Sequence, residues 1–181
     1  DHYRSYRSLL FSAMRAGLDA VRGEVCLRGK LAPFPVQGRT VVLAAGKAAA
    51  SMMAGACEII GPEVEGIALT RYGHCGPFRL PAGITMIEAA HPVPDANSEA
   101  AARQFLALAA GLTASDRLIA LISGGGSALL ALPAARINLA EKQAVNRALL
   151  ASGAAIAEMN CVRKHLSAIK GGRLALAAWP A

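Results

Sequence analysis

Hydrophobic positions along the chain follow two patterns, one helical and one typical of buried strands. Near the N-terminus, apolar residues recur every three or four positions, which predicts a helix over residues 5–22 and makes residues 1–22 an N-terminal helical segment. A short apolar run then predicts a buried strand at 41–45, and further short, mostly apolar segments predict strands at 66–70, 84–88 and 118–122. The helical pattern returns at 47–60, 97–110, 138–153 and 160–170.

Local signals predict where these elements begin and end. A loop containing Gly23, Gly29, Pro33 and Pro35 separates the first helix from the first strand. Asn97 or Ser98 is expected to cap the helix at 97–110, and Asn138 with Glu141 resembles a capping box for the helix at 138–153.

Strands that alternate with helices indicate an α/β fold, with a mostly parallel sheet and helices on both faces in a three-layer sandwich. In such sheets, ligands bind beyond the carboxyl ends of the strands. The loops at 46–47, 71–74, 91–95 and 123–127 each follow a predicted strand. If the strands are parallel, all four loops face one crevice, and we expect the functional residues there.

Composition narrows the class of function. The chain has 181 residues, of which 54% are hydrophobic and 17% charged, so it is too apolar for a disordered protein. Aromatic residues make up only 4%, which argues against a stacking surface for single-stranded nucleic acid. The net charge of +7 is scattered apart from the cluster at 163–165, which favours a local anion site over a nucleic-acid face.

Cysteine usage and hydropathy indicate a cytoplasmic protein. The four cysteines form no CxxC pair and are too few for a disulfide scaffold in a chain of this length. The most apolar stretches are too short to span a bilayer. We therefore expect a protein of the reducing cytosol with no membrane partner.

The loop Ser123-Gly124-Gly125-Gly126-Ser127 is the most specific local signal. Three glycines leave the backbone bare, so the N–H groups can approach an anion closely, and a helix that begins directly afterwards would add the positive end of its dipole. This composition predicts a cradle for a phosphate or a carboxylate. The alternative is a tight turn from strand to helix that needs glycine only for backbone geometry.

Lys47 follows the first predicted strand and precedes an apolar helix. Gly46-Lys47 is not a Walker A motif, because Ala48 stands where Ser or Thr is required. A partly desolvated lysine beside a helix N-terminus is nevertheless expected to bind an anion. The alternative is a lysine that extends into solvent.

On a helical wheel, residues 160–170 separate into a polar arc and an apolar arc. The polar arc predicts a ligand-facing side that contains Asn160, Arg163, Lys164, Ser167 and Lys170. His165 falls within the apolar arc and is expected to be a hydrogen-bonded core or boundary residue. The alternative for the charged residues is an ordinary solvated helix face.

The segment His91-Pro92-Val93-Pro94-Asp95 is a loop stiffened by two prolines. His91 and Asp95 are candidate contacts in the cleft. His74-Cys75 has no nearby partners in the sequence that would complete a metal site, so no metal ligands are assigned.

In order along the chain, the segments at 45–49, 91–95, 123–129 and 160–175 resemble glycerate 2-kinases that carry a C-terminal MOFRL domain and are also named hydroxypyruvate reductases. The resemblance covers nearly the whole chain. It implies transfer of a phosphoryl group from ATP, with Mg²⁺, to the 2-hydroxyl of D-glycerate, giving 2-phosphoglycerate. It also implies a Rossmann-like first domain, a second α/β domain and an active site between them.

Members of that family are much longer than this chain. Residues 1–181 are therefore expected to be most of the N-terminal Rossmann-like domain of a two-domain kinase. The Mg²⁺ ligands and a catalytic base are expected outside these residues, and the isolated chain is expected to be inactive. Its cut surface is expected to be apolar and to associate with itself. A homo-oligomer is also expected. Within the chain, Lys47 is the expected catalytic cation, and the 123–127 loop is expected to bind the glycerate carboxylate or the phosphate.

Two other functions stay open at the level of sequence. An NAD(P)H-dependent hydroxypyruvate reductase should carry a Gly-x-Gly-x-x-Gly fingerprint, but Leu129 stands at the position of the last glycine. A non-catalytic anion- or nucleic-acid-binding module is suggested only by the net charge, and it predicts binding with a steep dependence on salt.

Overall fold

The computed structural model describes residues 2–32 and 36–181, with side chains from residue 4 onward. Pro33 and Pro35, which the sequence places in a loop, lie outside the described residues. The strands are β1 (Thr40–Ala45), β2 (Val64–Arg71), β3 (Ile84–Ala89) and β4 (Arg117–Ile122). The helices are α1 (His2–Ala20), α2 (Gly23–Cys26), α3 (Ala49–Ile60), α4 (Ala96–Ala110), α5 (Gly126–Leu129), α6 (Leu139–Ala151), α7 (Ile156–His165) and α8 (Arg173–Ala178).

The four strands form one parallel sheet in the order β3-β2-β1-β4. Every residue of the central strand β1 is buried, which accounts for its apolar sequence from Val41 to Ala45. Because the strands are parallel, their carboxyl ends lie along one edge of the sheet. The predicted parallel sheet is confirmed.

Helices cover both faces of the sheet, as predicted. On one face, Val42 and Ala44 of β1 pack in a cluster with Met53 of α3. On the other face, Leu43 packs in a cluster with Phe105 of α4. The alternating direction of side chains along β1 thus supplies two cores, and the fold is a three-layer α/β sandwich.

Of the two predicted helix caps, the structure confirms one and corrects the other. The capping box of α6 is confirmed: the Glu141 amide donates to Asn138 Oδ1 at 2.9 Å, and the Asn138 amide donates to Glu141 Oε2 at 2.8 Å. The predicted cap of α4 is wrong. Asp95 caps that helix, and its Oδ1 accepts the Ser98 amide at 3.0 Å.

The prediction of one helix over residues 160–170 is also wrong. Helix α7 begins at Ile156 and ends at His165. Beyond it, Ser167 is buried, bridges to Pro133, and accepts the amides of Ile169 and Lys170 on its Oγ at 3.3 and 3.2 Å. A serine side chain that bonds nearby amides offers the backbone an alternative to the helix, which explains the early end.

Helix α3 begins later than predicted, at Ala49. Gly46 has a φ of 129°, outside the helical region, and Lys47 lies in the turn that follows it. The predicted helix after the glycine loop is the single turn α5, which has four residues. The short helices α2 and α8 are not evident from the hydrophobic pattern.

Candidate functional site

The loops that follow β1 and β4 are joined at the edge of the sheet. The Lys47 amide donates to the Gly124 carbonyl at 2.8 Å, and the Ala48 amide donates to Ser123 Oγ at 3.1 Å. Gly46 permits this approach, because a Cβ there would lie 2.2 Å from Ser123 Oγ. The structure therefore brings Lys47 and the 123–127 loop together, as the positions after adjacent strands predict. It also gives the Ser123 hydroxyl a partner within the protein.

The three glycines of the loop have different roles. Gly125 has a φ of 87°, and a Cβ there would lie 2.9 Å from His91 Nε2. A Cβ on Gly126 would lie 2.7 Å from the Ala45 carbonyl oxygen, whereas a Cβ on Gly124 would meet nothing within 4 Å. Turn geometry and close packing thus account for Gly125 and Gly126. Gly124 is exposed, and its bareness leaves the backbone open to a ligand.

Backbone donors are available at this loop. Within the described residues, the amides of Gly124, Gly125 and Ser127 donate no hydrogen bond to another protein group. The expected contribution of a helix dipole is not supported, because α5 has only one turn and a macrodipole requires a longer helix. The capacity of the loop for an anion therefore rests on its bare amides and on the neighbouring lysine.

Lys47 is exposed, contrary to the expectation of a partly desolvated residue. Its side chain lies beside the glycine loop, since its Cγ is 3.6 Å from the position that a Cβ on Gly125 would occupy. In the described part of the chain, no carboxylate forms an ion pair with it. Its ammonium group can therefore serve an anion held by the loop.

His91 brings the third strand end to the same place. It follows β3, and its imidazole lies against Gly125. Burial lowers the pKa of His91, and the charges of Lys47 and Arg71 lower it further. The ring is therefore neutral near pH 7 and adds hydrogen-bonding capacity without a charge.

Asp95 has a structural role in the same loop. Besides capping α4, its Oδ2 accepts the Tyr72 hydroxyl at 2.7 Å, and that hydroxyl also accepts from Asn97 Nδ2 at 3.1 Å. Burial raises the pKa of Asp95, but hydrogen bonds from Tyr72 and Ser98 outweigh it and leave the pKa below its ordinary value. The contact of Asp95 with a ligand stays a prediction.

Three polar residues of α6, which sequence reasoning missed, complete the crevice. Gln143 Nε2 donates to the Pro94 carbonyl at 2.7 Å, and Asn146 Nδ2 donates to the Pro92 carbonyl at 3.5 Å. Lys142, four residues before Asn146, lies on the same helix face and is buried. The sequence signal that could have identified this face is a lysine and an asparagine four residues apart, beside the apolar residues Val145 and Leu149.

A small cavity lies beyond the glycine loop, between α5, α6, α7 and the loop at 91–95. It has a volume of about 30 Å³, and three cations line it: Lys142, Arg163 and Lys170. Lys142 Nζ donates to the Leu166 carbonyl at 2.5 Å, and Lys170 Nζ donates to the Leu130 carbonyl. We refer to this space as the cation cavity.

The cations of this cavity are close enough to affect one another. Burial lowers the pKa of Lys170 to about 7, and the charges of Lys142 and Arg163 contribute to the shift. The pKa of Lys142 is lowered as well, first by burial and then by Arg163. Arg163 Nε donates to Asn146 Oδ1 at 3.0 Å, which holds its guanidinium beside α6.

The other predicted residues of the 160–170 segment fall into separate environments. Asn160 Oδ1 accepts from Arg163 Nη1 at 3.5 Å and so supports that side chain. Lys164 is exposed and does not line the cavity. His165 has the expected hydrogen-bond partner, since its Nδ1 lies 2.8 Å from the Cys161 carbonyl oxygen, but it is exposed and not at the expected core or boundary position. The helical wheel fails here because the apolar arc of α7 is not packed in the core, since Cys161 and Val162 are exposed as well.

Among residues 2–32 and 36–181, no group of three or more His, Cys, Asp or Glu side chains could hold a metal ion. The described helices also include none with the length and apolar character needed to cross a membrane.

Comparison with known proteins identifies relatives of the whole chain. A family model described as "Domain of unknown function (DUF4147)" matches residues 9–181. A putative hydroxypyruvate reductase of Agrobacterium vitis is 49% identical over 180 residues, which are 98% of this chain and 40% of the relative. D-glycerate 2-kinase of Thermotoga maritima is 38% identical over 179 residues, which are 98% of this chain and 42% of the relative.

A solved structure agrees with these sequence matches. The crystal structure of glycerate kinase from Thermotoga maritima superposes with a TM-score of 0.87 at 39% identity, covering 98% of this chain and 42% of that one. The resemblance to glycerate 2-kinases and to proteins named hydroxypyruvate reductases is thereby confirmed. The chain spans about two fifths of the length of these relatives.

Proposed function

Because the chain belongs to the DUF4147 family, we propose that it forms part of a glycerate 2-kinase, which transfers a phosphoryl group from ATP to the 2-hydroxyl of D-glycerate. The product is 2-phosphoglycerate. Residues 1–181 are then most of the Rossmann-like first domain of a two-domain kinase, a proposal supported by the share of the Thermotoga maritima relative that the chain covers. The protein is proposed to be cytoplasmic, to bind neither nucleic acid nor membranes, and to form a homo-oligomer.

One observation carries this proposal: a lysine and a set of bare amides converge at the carboxyl edge of the sheet. Phosphoryl transfer depends mainly on positioning and on positive groups close to the phosphoryl oxygens. Lys47 supplies an exposed cation, and Gly124, Gly125 and Ser127 supply amides that bond no other protein group in the described residues. His91 closes the site from the neighbouring loop.

The residues present fit the phosphates of a nucleotide. Gly124 has open space where a Cβ would stand, so a phosphate oxygen can approach its backbone without a clash. ATP supplies the transferred phosphoryl group when bound. Lys47 and the amides of the 123–127 loop would hold its oxygens and offset their charge. Magnesium is part of the proposed reaction, but the described residues offer no carboxylate cluster for it, and no ligand is assigned to it.

The residues of α7 and beyond take secondary roles in this proposal. Arg163 and Lys170 line the cation cavity, next to the glycine loop, and Asn160 supports Arg163. Lys164 is kept as a proposed contact, although its exposure makes it the weakest of this group.

A second function, reduction of hydroxypyruvate with NAD(P)H, is favoured by the name of the Agrobacterium vitis relative. The loop after β1 contains a single glycine, Gly46, followed by Lys47-Ala48. A dinucleotide site needs a glycine-rich turn there, so that a pyrophosphate can approach the backbone. We therefore place this function second.

The decisive experiment compares both activities on the complete protein that contains this chain. With D-glycerate, ATP and Mg²⁺, we expect release of ADP and formation of 2-phosphoglycerate, identified by phosphorus NMR. With hydroxypyruvate and NADH or NADPH, we expect no change in absorbance at the nicotinamide band. Oxidation of the nicotinamide without ADP release would replace the kinase by the reductase.

A further inference from the structure

The cation cavity combines positive charge, partial enclosure and small size. Two lysines and one arginine line it, and no Asp or Glu is among its lining residues. Lys142 is nearly inaccessible to solvent, with 8% exposure. Three cations gathered in a partly desolvated space repel one another unless a negative group joins them.

The ammonium groups keep donors for a ligand. Each lysine donates to one backbone carbonyl, at Leu166 for Lys142 and at Leu130 for Lys170. An ammonium carries three N–H donors, so one carbonyl does not exhaust it. Arg163 donates to Asn146 through Nε and to Asn160 through one N–H of Nη1, which leaves Nη2 and the second N–H of Nη1 for a ligand.

The dimensions of the cavity restrict what it can hold. About 30 Å³ of space accommodates roughly two water-sized groups, such as the two oxygens of a carboxylate. Its remaining walls are largely apolar, with Val145, Leu149 and Leu166 among them. The glycine loop, in contrast, is exposed and offers room for a polyphosphate.

The cavity and the glycine loop are adjacent. Ser127 is the last residue of the loop and also lines the cavity, and Pro94 connects the cavity to the His91 side of the crevice. A short hydroxy acid with its carboxylate among the three cations would thus direct its other end toward the loop and Lys47. The cavity and the glycine loop are therefore neighbours, as the sites for an acceptor acid and for a phosphoryl donor must be.

We propose that the cation cavity binds the carboxylate of the small hydroxy acid, through Lys142, Arg163 and Lys170. This assignment rests on the proposed function for the identity of the acid, and it gives a binding role to Lys142. The 123–127 loop and Lys47 then serve the phosphoryl group.

The test is calorimetric binding of D-glycerate to the complete protein, in the wild type and in the variants Lys142→Met and Lys170→Met. Methionine keeps the length of the side chain and removes the charge. We expect each variant to bind D-glycerate about tenfold or more weakly, since a charge-assisted contact is lost. The control is Arg147→Met, which removes an exposed cation from α6 and should leave the affinity unchanged. Wild-type affinity in both lysine variants would overturn the proposal.

Proton uptake provides a test that needs no variant. Among the described residues, two charged groups face Lys170 across the cavity: Lys142 on α6 and Arg163 on α7. An anion should raise the pKa of Lys170, so D-glycerate binding at about pH 8 should take up protons from the buffer. Calorimetry in two buffers of different ionisation enthalpy measures this uptake. Its absence in the wild type would count against the proposal even if a variant failed to fold.

Binding of glycerol and of inorganic phosphate tests whether the cavity recognises a carboxylate or a phosphate. Glycerol, which lacks the carboxylate, should not bind. If inorganic phosphate binding depends on Lys142 and Lys170 while D-glycerate binding does not, the cavity is a phosphate site and the assignment is overturned.

Turnover and binding together distinguish the two proposals. If the complete protein has no kinase turnover but loses D-glycerate affinity in both variants, the proposed function fails and the cavity assignment stands. If turnover is present and both folded variants keep wild-type affinity, the assignment fails and the proposed function stands.

Discussion

At the scale of single residues, charge placement separates two kinds of lysine in this crevice. Lys47 is exposed beside bare amides, whereas Lys142 and Lys170 are enclosed and bonded to backbone carbonyls. An exposed cation can follow a phosphoryl group, but an enclosed one is fixed in place. Lysines near one site therefore differ in chemistry because their environments differ.

Replacement of Lys47 tests the exposed kind. In the complete protein, Lys47→Met should lower kcat/KM for phosphorylation of D-glycerate about tenfold or more, because a charge-assisted contact contributes about 1.5–3 kcal/mol. Steady-state ADP release measures the effect, and a circular dichroism melt checks the fold. The control is Lys30→Met, which removes an exposed lysine that belongs to none of the four crevice loops. Wild-type kinetics for Lys47→Met would show that Lys47 only extends into solvent, which is the alternative given in the sequence analysis.

The pKa of Lys170 predicts how stability depends on pH. The native state releases this proton near pH 7, but the unfolded chain keeps it until about the ordinary lysine pKa of 10.5. Across that interval the unfolded state binds more protons, so this group makes the free energy of unfolding rise with pH. Urea unfolding at several pH values should show a smaller rise in Lys170→Met than in wild type, with Arg147→Met unchanged. Equal pH dependence in wild type and Lys170→Met would contradict the shift.

At the scale of elements, the glycine loop combines a structural turn with an open backbone. Gly125 has a positive φ and lies against His91, while Gly124 borders open space. Both the turn and the cradle interpretations of the sequence therefore apply, each to different residues of the same motif. Substitutions at these two positions should separate them.

We expect Gly125→Ala to destabilise the fold by about 1–2 kcal/mol from the positive φ alone, and by more if His91 cannot move. Gly124→Ala should change the free energy of unfolding by less than about 0.5 kcal/mol, since nothing opposes the added methyl group. Urea denaturation gives both values. Gly124→Ala should nevertheless weaken binding of a non-hydrolysable ATP analogue, measured by calorimetry. Unchanged nucleotide affinity in Gly124→Ala would reduce the motif to a turn.

The elements also show what local sequence determines. The strand β1 was predictable because a strand buried on both faces is apolar along most of its length, here from Val41 to Ala45. The capping box of α6 was predictable because it needs only Asn138 and Glu141. The end of α7 was not, since it depends on Ser167, whose side chain bonds the following amides instead of facing a ligand.

The candidate site also contains residues that the sequence could place and residues that it could not. Lys47 and the 123–127 loop could be placed together because each follows a strand, and adjacent parallel strands end at the same edge. Lys142 escaped because its partners Arg163 and Lys170 come from different segments of the chain. The spacing of Lys142 and Asn146 within α6 marks a polar pair on one helix face, but only tertiary packing brings the three cations together.

At the scale of the whole molecule, the largest group of exposed apolar side chains among the described residues is on α1. Among the described residues of this helix, the large apolar side chains that remain exposed are Tyr6, Leu9, Leu10, Phe11, Met14 and Leu18. The sequence predicted a helix here from the same spacing, but an amphipathic face normally packs against a core. Apolar area of this extent favours association.

The 181-residue chain should therefore self-associate through α1, with an apparent mass that rises with concentration in sedimentation velocity. Leu10→Ser combined with Met14→Ser should shift the population toward monomer, because two side chains exposed by 70% and 56% would no longer contribute apolar area to an interface. The control is Leu150→Ser on α6, which removes an equally apolar residue with 50% exposure outside that face. If the double variant and the control sediment alike, the face of α1 does not mediate the association. If the wild type stays monomeric at every concentration, the proposed homo-oligomer would have to form through another part of the complete protein.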